Sequence, residues 1–231
     1  MIETIEQPYS CKHCNKSFMK EKTLIAHMCE QKRRILQKDE KRVQAGYMAY
    51  NRFYTLTQNS KKIKTYEEFC ESSYYNAFVK FGSFINNVNP LYPDKFIDYV
   101  IKSGTKLDHW CRDELYETYL LEMLKVEPVE SAVQRSLATM MDWADNNNSQ
   151  FNHYFNYVSL NRAVHDIIDG KISPWIILNC NFGKTMLSKM NNEQLDMITN
   201  VIDIPFWMKK FKELPAEVAL VREICKETDI K

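Results

Sequence analysis

The sequence predicts a mainly all-α protein, a multi-helix domain preceded by a small ββα unit and a long basic amphipathic helix. Three observations lead there. From Thr65 onward, capping residues and prolines at helix-start positions recur at short intervals. Outside the first thirty or so residues, no alternating Val, Ile or Thr run is bounded by hairpin turns. Residues 9–29 read Tyr9-Ser-Cys11-Lys-His-Cys14-Asn-Lys-Ser-Phe18-Met-Lys-Glu-Lys-Thr-Leu24-Ile-Ala-His27-Met-Cys29, and so place two thiols, two apolar pins and a histidine at the offsets of a metal-built ββα segment. Three regions follow: 1–30, the ββα unit; 31–64, a basic helix and linker; and 65–231, an acidic all-helical domain.

The first unit is too short to bury enough apolar surface to offset the entropy of ordering its chain. A zinc ion supplies the missing free energy. Cys11 and Cys14 make a knuckle that turns both thiolates toward one ion, and a helix starting near Glu21 brings His27 to the other side. Phe18 and Leu24 pack beneath as a miniature core.

The twelve residues between Cys14 and His27, with Tyr9, Phe18 and Leu24 in the apolar positions, resemble the C2H2 zinc-finger family over about a tenth of the chain. The family places its second helix-borne ligand three to five residues after the first histidine. Here the nearest candidate, Cys29, follows by two. Residues two apart on a regular helix point about 200° away from each other. If Cys29 is the fourth ligand, the helix therefore breaks just after His27 and a new one starts near Glu30. His13, His109 and Cys111 are the alternatives.

Residues 31–57 read as one long helix. With Arg34 set at 0° on a helical wheel, Lys38, Lys41 and Arg42 fall within about 80° of it, while Leu36, Val43, Tyr47, Tyr50 and Tyr54 lie near 160–220°. The apolar stripe should dock on the rest of the protein and leave the cationic stripe in solvent, extended by the Lys61-Lys62-Ile63-Lys64 turn.

Thereafter Thr65 and Glu68 form a capping box for a helix over Tyr66–Phe81, with Phe69, Ser73, Ala77 and Phe81 along one line. Pro93 occupies the first turn of Asp94–Lys102, which Gly104 closes. Asp113–Lys125 follows. Pro128 opens a helix to about Trp143, with Val129, Val133, Leu137 and Met140 at helical spacing. Asn146-Asn-Asn-Ser149 is a polar break, Phe151–Tyr157 a short aromatic helix, and Ser159 caps a helix ended by Gly170. Ser173-Pro174, Asn192 with Gln194, Ile204-Pro205 and Leu214-Pro215 each start one more short helix.

The net charge of +1 hides an asymmetry. Residues 1–64 carry 14 Lys and Arg against 6 Asp and Glu, and residues 65–231 carry 17 against 24. A polyanion should meet the front of the molecule. No apolar run is long enough for a membrane span, and Glu3 and Glu6 do not follow the plan of a secretory signal. Cys70, Cys111, Cys180 and Cys225 are scattered singly and read as small buried hydrophobes. A reducing, cytoplasmic setting is expected. The finger ending His-x-Cys, the Lys-Arg-Arg run after it and the heavy use of Asn, Lys, Ile and Tyr also resemble proteins of large tailed phages, which implies the host cytoplasm.

Catalysis is not expected. Asn181-Phe-Gly183-Lys184-Thr185 lacks the first glycine of a phosphate loop, since Leu178 stands there, and no strand precedes it. Asp113, Glu114, Glu117 and Glu122 read as a solvated helix face. His153 and His165 lack a ββα frame, and no nucleophile elbow occurs.

The functional expectation is a zinc-dependent nucleic-acid binder, acting on DNA with low sequence selectivity. The family resemblance implies that Lys20, Thr23 and Ala26, with Lys22 beside them, face base edges. Phosphate contacts fall to Lys12, Lys16, Lys20 and Lys22 and to the stripe Lys32, Arg33, Arg34, Lys38, Lys41 and Arg42. The helical domain is expected to bind a protein partner, with no membrane and no small-molecule substrate. The competing expectation is a zinc-stabilised protein adaptor that docks through finger surface residues such as Met19 and Ile25.

Overall fold

The computed structural model describes residues 9–58 and 62–230; Glu3, Glu6 and Lys61 lie outside them. The chain divides into two compact units, Met1–Tyr116 and Glu117–Lys231. Both are helical among the described residues, apart from a two-stranded sheet, in agreement with the all-α reading.

The first unit opens with strands β1 (Tyr9–Ser10) and β2 (Ser17–Phe18), paired antiparallel with Tyr9 opposite Phe18, then α1 (Glu21–Ala26). The ββα order is as expected. Next come α2 (Glu30–Leu36), α3 (Lys41–Gln58), α4 (Tyr66–Glu71), α5 (Tyr75–Val88) and α6 (Pro93–Lys102), with a 3-10 turn over Leu107–His109.

Two expected helices are each divided. The segment read as one helix from Gln31 breaks at Gln37–Glu40, where the Gln37 amide turns back on Arg33 and Ile35 and the Gln44 amide side chain donates to the Lys38 carbonyl. The break resets the helical phase. Leu36, placed on the apolar stripe, is 64% exposed, while Arg34, placed in solvent, is buried. The helix expected over Tyr66–Phe81 also stops at Glu71. Ser72 turns extended, its hydroxyl accepts from the Tyr74 amide, and the Cys70 and Ser72 carbonyls accept from Arg34. The capping box itself forms as read, with Thr65 accepting from the Glu68 amide and Glu68 from the Thr65 amide.

The core of this unit is aromatic. α3 crosses α5 at backbone distance: a Cβ on Gly46 would sit 2.6 Å from the Phe78 carbonyl oxygen, and one on Gly82 would sit 2.0 Å from that of Arg42. The close crossing lets Tyr50, Phe69, Phe78, Phe81, Phe96 and Trp110 meet ring to ring, with centroids 5.0–6.0 Å apart. The Trp110 indole N–H donates to the Thr105 carbonyl at 2.8 Å, which removes the cost of burying it.

The second unit holds α7 (Asp113–Val126) from Glu117 on, α8 (Val129–Asn147), α9 (Tyr154–Tyr157), α10 (Leu160–Ile168), α11 (Pro174–Ile177), α12 (Asn181–Ser188), α13 (Asn192–Ile198), α14 (Ile204–Glu213) and α15 (Pro215–Glu227). α11, buried along its length, packs on α8, α12 and α15. Polar joints hold the connections: Arg135 grips the buried Glu127 carboxylate through both oxygens, at 2.5 and 2.6 Å, and donates to the Gly170 carbonyl at 2.7 Å. The rejected phosphate-loop segment is the start of α12, its Gly183 amide capped by Cys180 Sγ. Cys70, Cys180 and Cys225 are buried as expected, and Cys180 is pushed up to about 12 by that burial. Cys111 is only half-buried.

Candidate metal centre

The knuckle is built by backbone hydrogen bonds. The Cys11 amide donates to the Lys16 carbonyl and the Asn15 amide to the Cys11 carbonyl, both at 2.9 Å, and Asn15 takes the left-handed conformation (φ 55°) that closes the turn. Asn tolerates that region better than most residues. Both cysteine side chains therefore point to one side, toward α1.

α1 is short, exposed and ends at Ala26. His27 leaves it in an extended conformation (φ −68°, ψ 122°), and Cys29 is extended too (φ −81°, ψ 166°) before α2 starts at Glu30. This is the break that ligands two residues apart demand. The turn out of the helix brings Cys29 Sγ back to within 3.9 Å of Cys11 Sγ, while His27 Nε2 lies 3.2 Å from Cys14 Sγ. The Phe18 ring packs on the imidazole at 4.7 Å between centroids, in the role expected of the miniature core.

Cys11, Cys14, His27 and Cys29 form a group whose ligand atoms all lie within 4.8 Å of one another. His13, His109 and Cys111 are not part of it. A tetrahedral ion with metal–sulfur bonds of about 2.3 Å and metal–nitrogen bonds of about 2.0 Å sets its ligands roughly 3.5–3.8 Å apart. The donor set, three thiols and one imidazole, is that of a structural zinc site. The cluster can thus hold a metal ion such as zinc.

Electrostatics point the same way. The Cys11 thiol is held below its ordinary value by the His13 amide, then the Cys14 amide, against some desolvation. Cys14 goes the other way. The Lys16 amide favours its thiolate, but desolvation and the adjoining Cys11 and Cys29 sulfurs outweigh that pull. Packed this closely, the thiols cannot all ionise without a cation among them.

The cationic residues of the sequence reading fare unequally. Lys12, Lys16, Lys20, Lys22 and Thr23 are exposed around the finger, and Arg33, Lys38, Lys41 and Arg42 are exposed beyond it, Arg42 paired with Glu40 at 2.7 Å. Lys32 is half-buried, its ammonium donating to the His27 carbonyl at 3.2 Å. Arg34 does not belong to the solvent stripe, because its guanidinium is spent on the Cys70 and Ser72 carbonyls, Glu30 and the face of Tyr75. Also exposed on the finger are Met19 (77%), Ile25 (69%) and Met28.

Neither profiles of known families, nor curated proteins, nor solved structures match the chain, so the resemblances to C2H2 fingers and to phage proteins rest on the residues quoted above. Among the described residues no helix is long and apolar enough to cross a membrane.

Proposed function

We propose that this is a zinc-finger protein of the C2H2 type, with a His-x-Cys ending, whose cationic front engages nucleic acid, DNA in the first instance, with low sequence selectivity. Zinc held by Cys11, Cys14, His27 and Cys29 would order the segment; it supplies folding free energy and no reaction step. The observation that carries the reading is the exposure of Lys12, Lys16, Lys20 and Lys22 around the metal cluster, with Arg33, Lys38 and Lys41 next along the chain. These seven exposed cations suit phosphate binding, while of the base-facing positions Thr23 offers one edge or methyl contact and Ala26 little, so affinity should be mostly electrostatic. The role is binding, not catalysis. The acidic remainder would serve a protein partner, and the reduced thiols that such a site needs suit a reducing compartment such as the cytoplasm.

Met19, Ile25 and Met28 favour a second reading, a zinc-stabilised adaptor that docks protein through this apolar part of the finger. Anisotropy titration of mixed-sequence duplex DNA with the zinc-loaded full chain, over a salt series, separates the two. On the first reading, replacing Lys12, Lys16, Lys20 and Lys22 by Ala lowers affinity at least tenfold and flattens the salt slope by about one unit for each phosphate left without its lysine. Met19→Ser with Ile25→Ser leaves both unchanged. An absence of salt-sensitive DNA binding by the parent chain would overturn the first reading.

A further inference from the structure

We infer that the metal centre is closed by the helical body as well as by the finger, with Arg34 as the positioning residue that sets the fourth ligand. The inference rests on the zinc reading but not on the nucleic-acid one. Its basis is where Cys29 stands. The residue belongs to neither end of α1; it is the N-cap of α2, its sulfur accepting from the Lys32 amide at 3.4 Å. Lys32 also spans the break between the two ligands, through the ammonium hydrogen bond to the His27 carbonyl. The position of the fourth sulfur is therefore the position of α2.

α2 is in turn fixed from the body. Five residues past Cys29, Arg34 Nη1 donates to the Cys70 carbonyl at 2.6 Å and the Ser72 carbonyl at 3.4 Å, at the C-terminal end of α4. Its guanidinium lies 4.5 Å from the Tyr75 ring centroid and pairs with Glu30 one turn back. The Arg34 carbonyl accepts from the Tyr66 hydroxyl at 2.6 Å. Side chain and backbone of one residue thus tie α2 to the first and last turns of α4. A buried arginine meeting backbone carbonyls is costly to desolvate and would be poorly chosen for packing alone. It suits a strut, since a guanidinium's fixed fork defines direction as well as distance.

The charges complement the geometry. A dication with three thiolates and a neutral imidazole keeps one net negative charge, and the Lys32 ammonium at the His27 carbonyl lies beside it. Two cations expected to grip phosphate, Lys32 and Arg34, are thereby committed to the metal site.

The test is competitive titration of the full chain with Co2+, reading affinity together with the visible ligand-field bands of a tetrahedral sulfur-rich site. Arg34→Met, which keeps the aliphatic stem and removes every donor, should weaken Co2+ binding by about tenfold or more, the range of outer-shell substitutions at metal sites, and shift the bands. Tyr66→Phe, which removes one hydroxyl, should weaken it severalfold and serves if Arg34→Met does not fold. Phe96→Leu loosens the aromatic core without touching α2 and should leave binding at the parent value. Parent-like Co2+ affinity and spectra in both Arg34→Met and Tyr66→Phe would overturn the inference, as would an equal loss in Phe96→Leu; either leaves the zinc reading standing. A parent chain that binds no Co2+ overturns both.

Discussion

The finger and the aromatic body of the first unit solve the same problem by opposite means. α1 buries none of its residues, whereas α5 buries Tyr75, Phe78, Phe81, Gly82 and Ile85. In the body, each aromatic side chain removed from water contributes on the order of 2–3 kcal/mol, and the conformational entropy is offset many times in small amounts. In the finger, on the zinc reading, four ligand atoms around one ion would carry nearly all of it. On that reading stability is spread over many residues in one region and gathered at four in the other, and the two should fail differently.

The largest expected effect comes from removing the ion. Structural zinc contributes apparent free energies on the order of 10 kcal/mol to small domains at neutral pH. Chelation, or Cys11→Ser, should abolish amide-exchange protection across residues 9–29, while α5 and α6 keep theirs. Uniform loss of protection in both regions would break the comparison, and retained protection in the finger would remove the metal from its stability. The body's counterpart is Gly82→Ala. A Cβ there meets the Arg42 carbonyl oxygen at 2.0 Å, so α3 and α5 must separate. A loss of about 3 kcal/mol in urea unfolding is expected, with Co2+ binding retained in the folded population.

The contrast also explains what the sequence disclosed. The finger was legible because its chemistry is written in residue type and spacing: Cys11, Cys14 and His27 have few other reasons to stand where they do. Even the break after His27 followed from the angle between residues two apart. Helix starts marked by Thr65, Pro93, Ser159 and Pro174 were equally plain, because a cap is a local event. The interruptions at Gln37–Glu40 and Ser72 were not. At Ser72 the chain turns where Arg34 reaches the Cys70 and Ser72 carbonyls, an interaction across more than thirty residues that no periodicity in either segment encodes, and at Gln37–Glu40 the turn is held by the Gln44 side chain on the Lys38 carbonyl, a contact the helical wheel does not register. For the same reason periodicity groups Arg34 with the solvent cations. A buried arginine differs from an exposed one only in its partners, and those are tertiary.

The smallest effect should come from a polar link in the body. Arg52 on α3 holds the Asp98 carboxylate of α6 through both oxygens, Nη2 to Oδ2 at 2.5 Å. That hydrogen bond, with some opposition from desolvation, keeps Asp98 below the usual carboxylate range. A carboxylate depressed in the folded state contributes stability above its unfolded value of about 3.9, and the contribution is lost as pH falls through the lower folded value. Arg52 is half-exposed, so solvent screening limits the pair to about 1 kcal/mol or less. Arg52→Gln should therefore cost about that much in urea unfolding at pH 7 and almost nothing near pH 2. Because the aromatic rings beneath are unaffected by either change, the variant should unfold with the parent's cooperativity. A loss of several kcal/mol, or one that persists at low pH, would mean that the body too leans on a few polar links, and the contrast with the finger would fail.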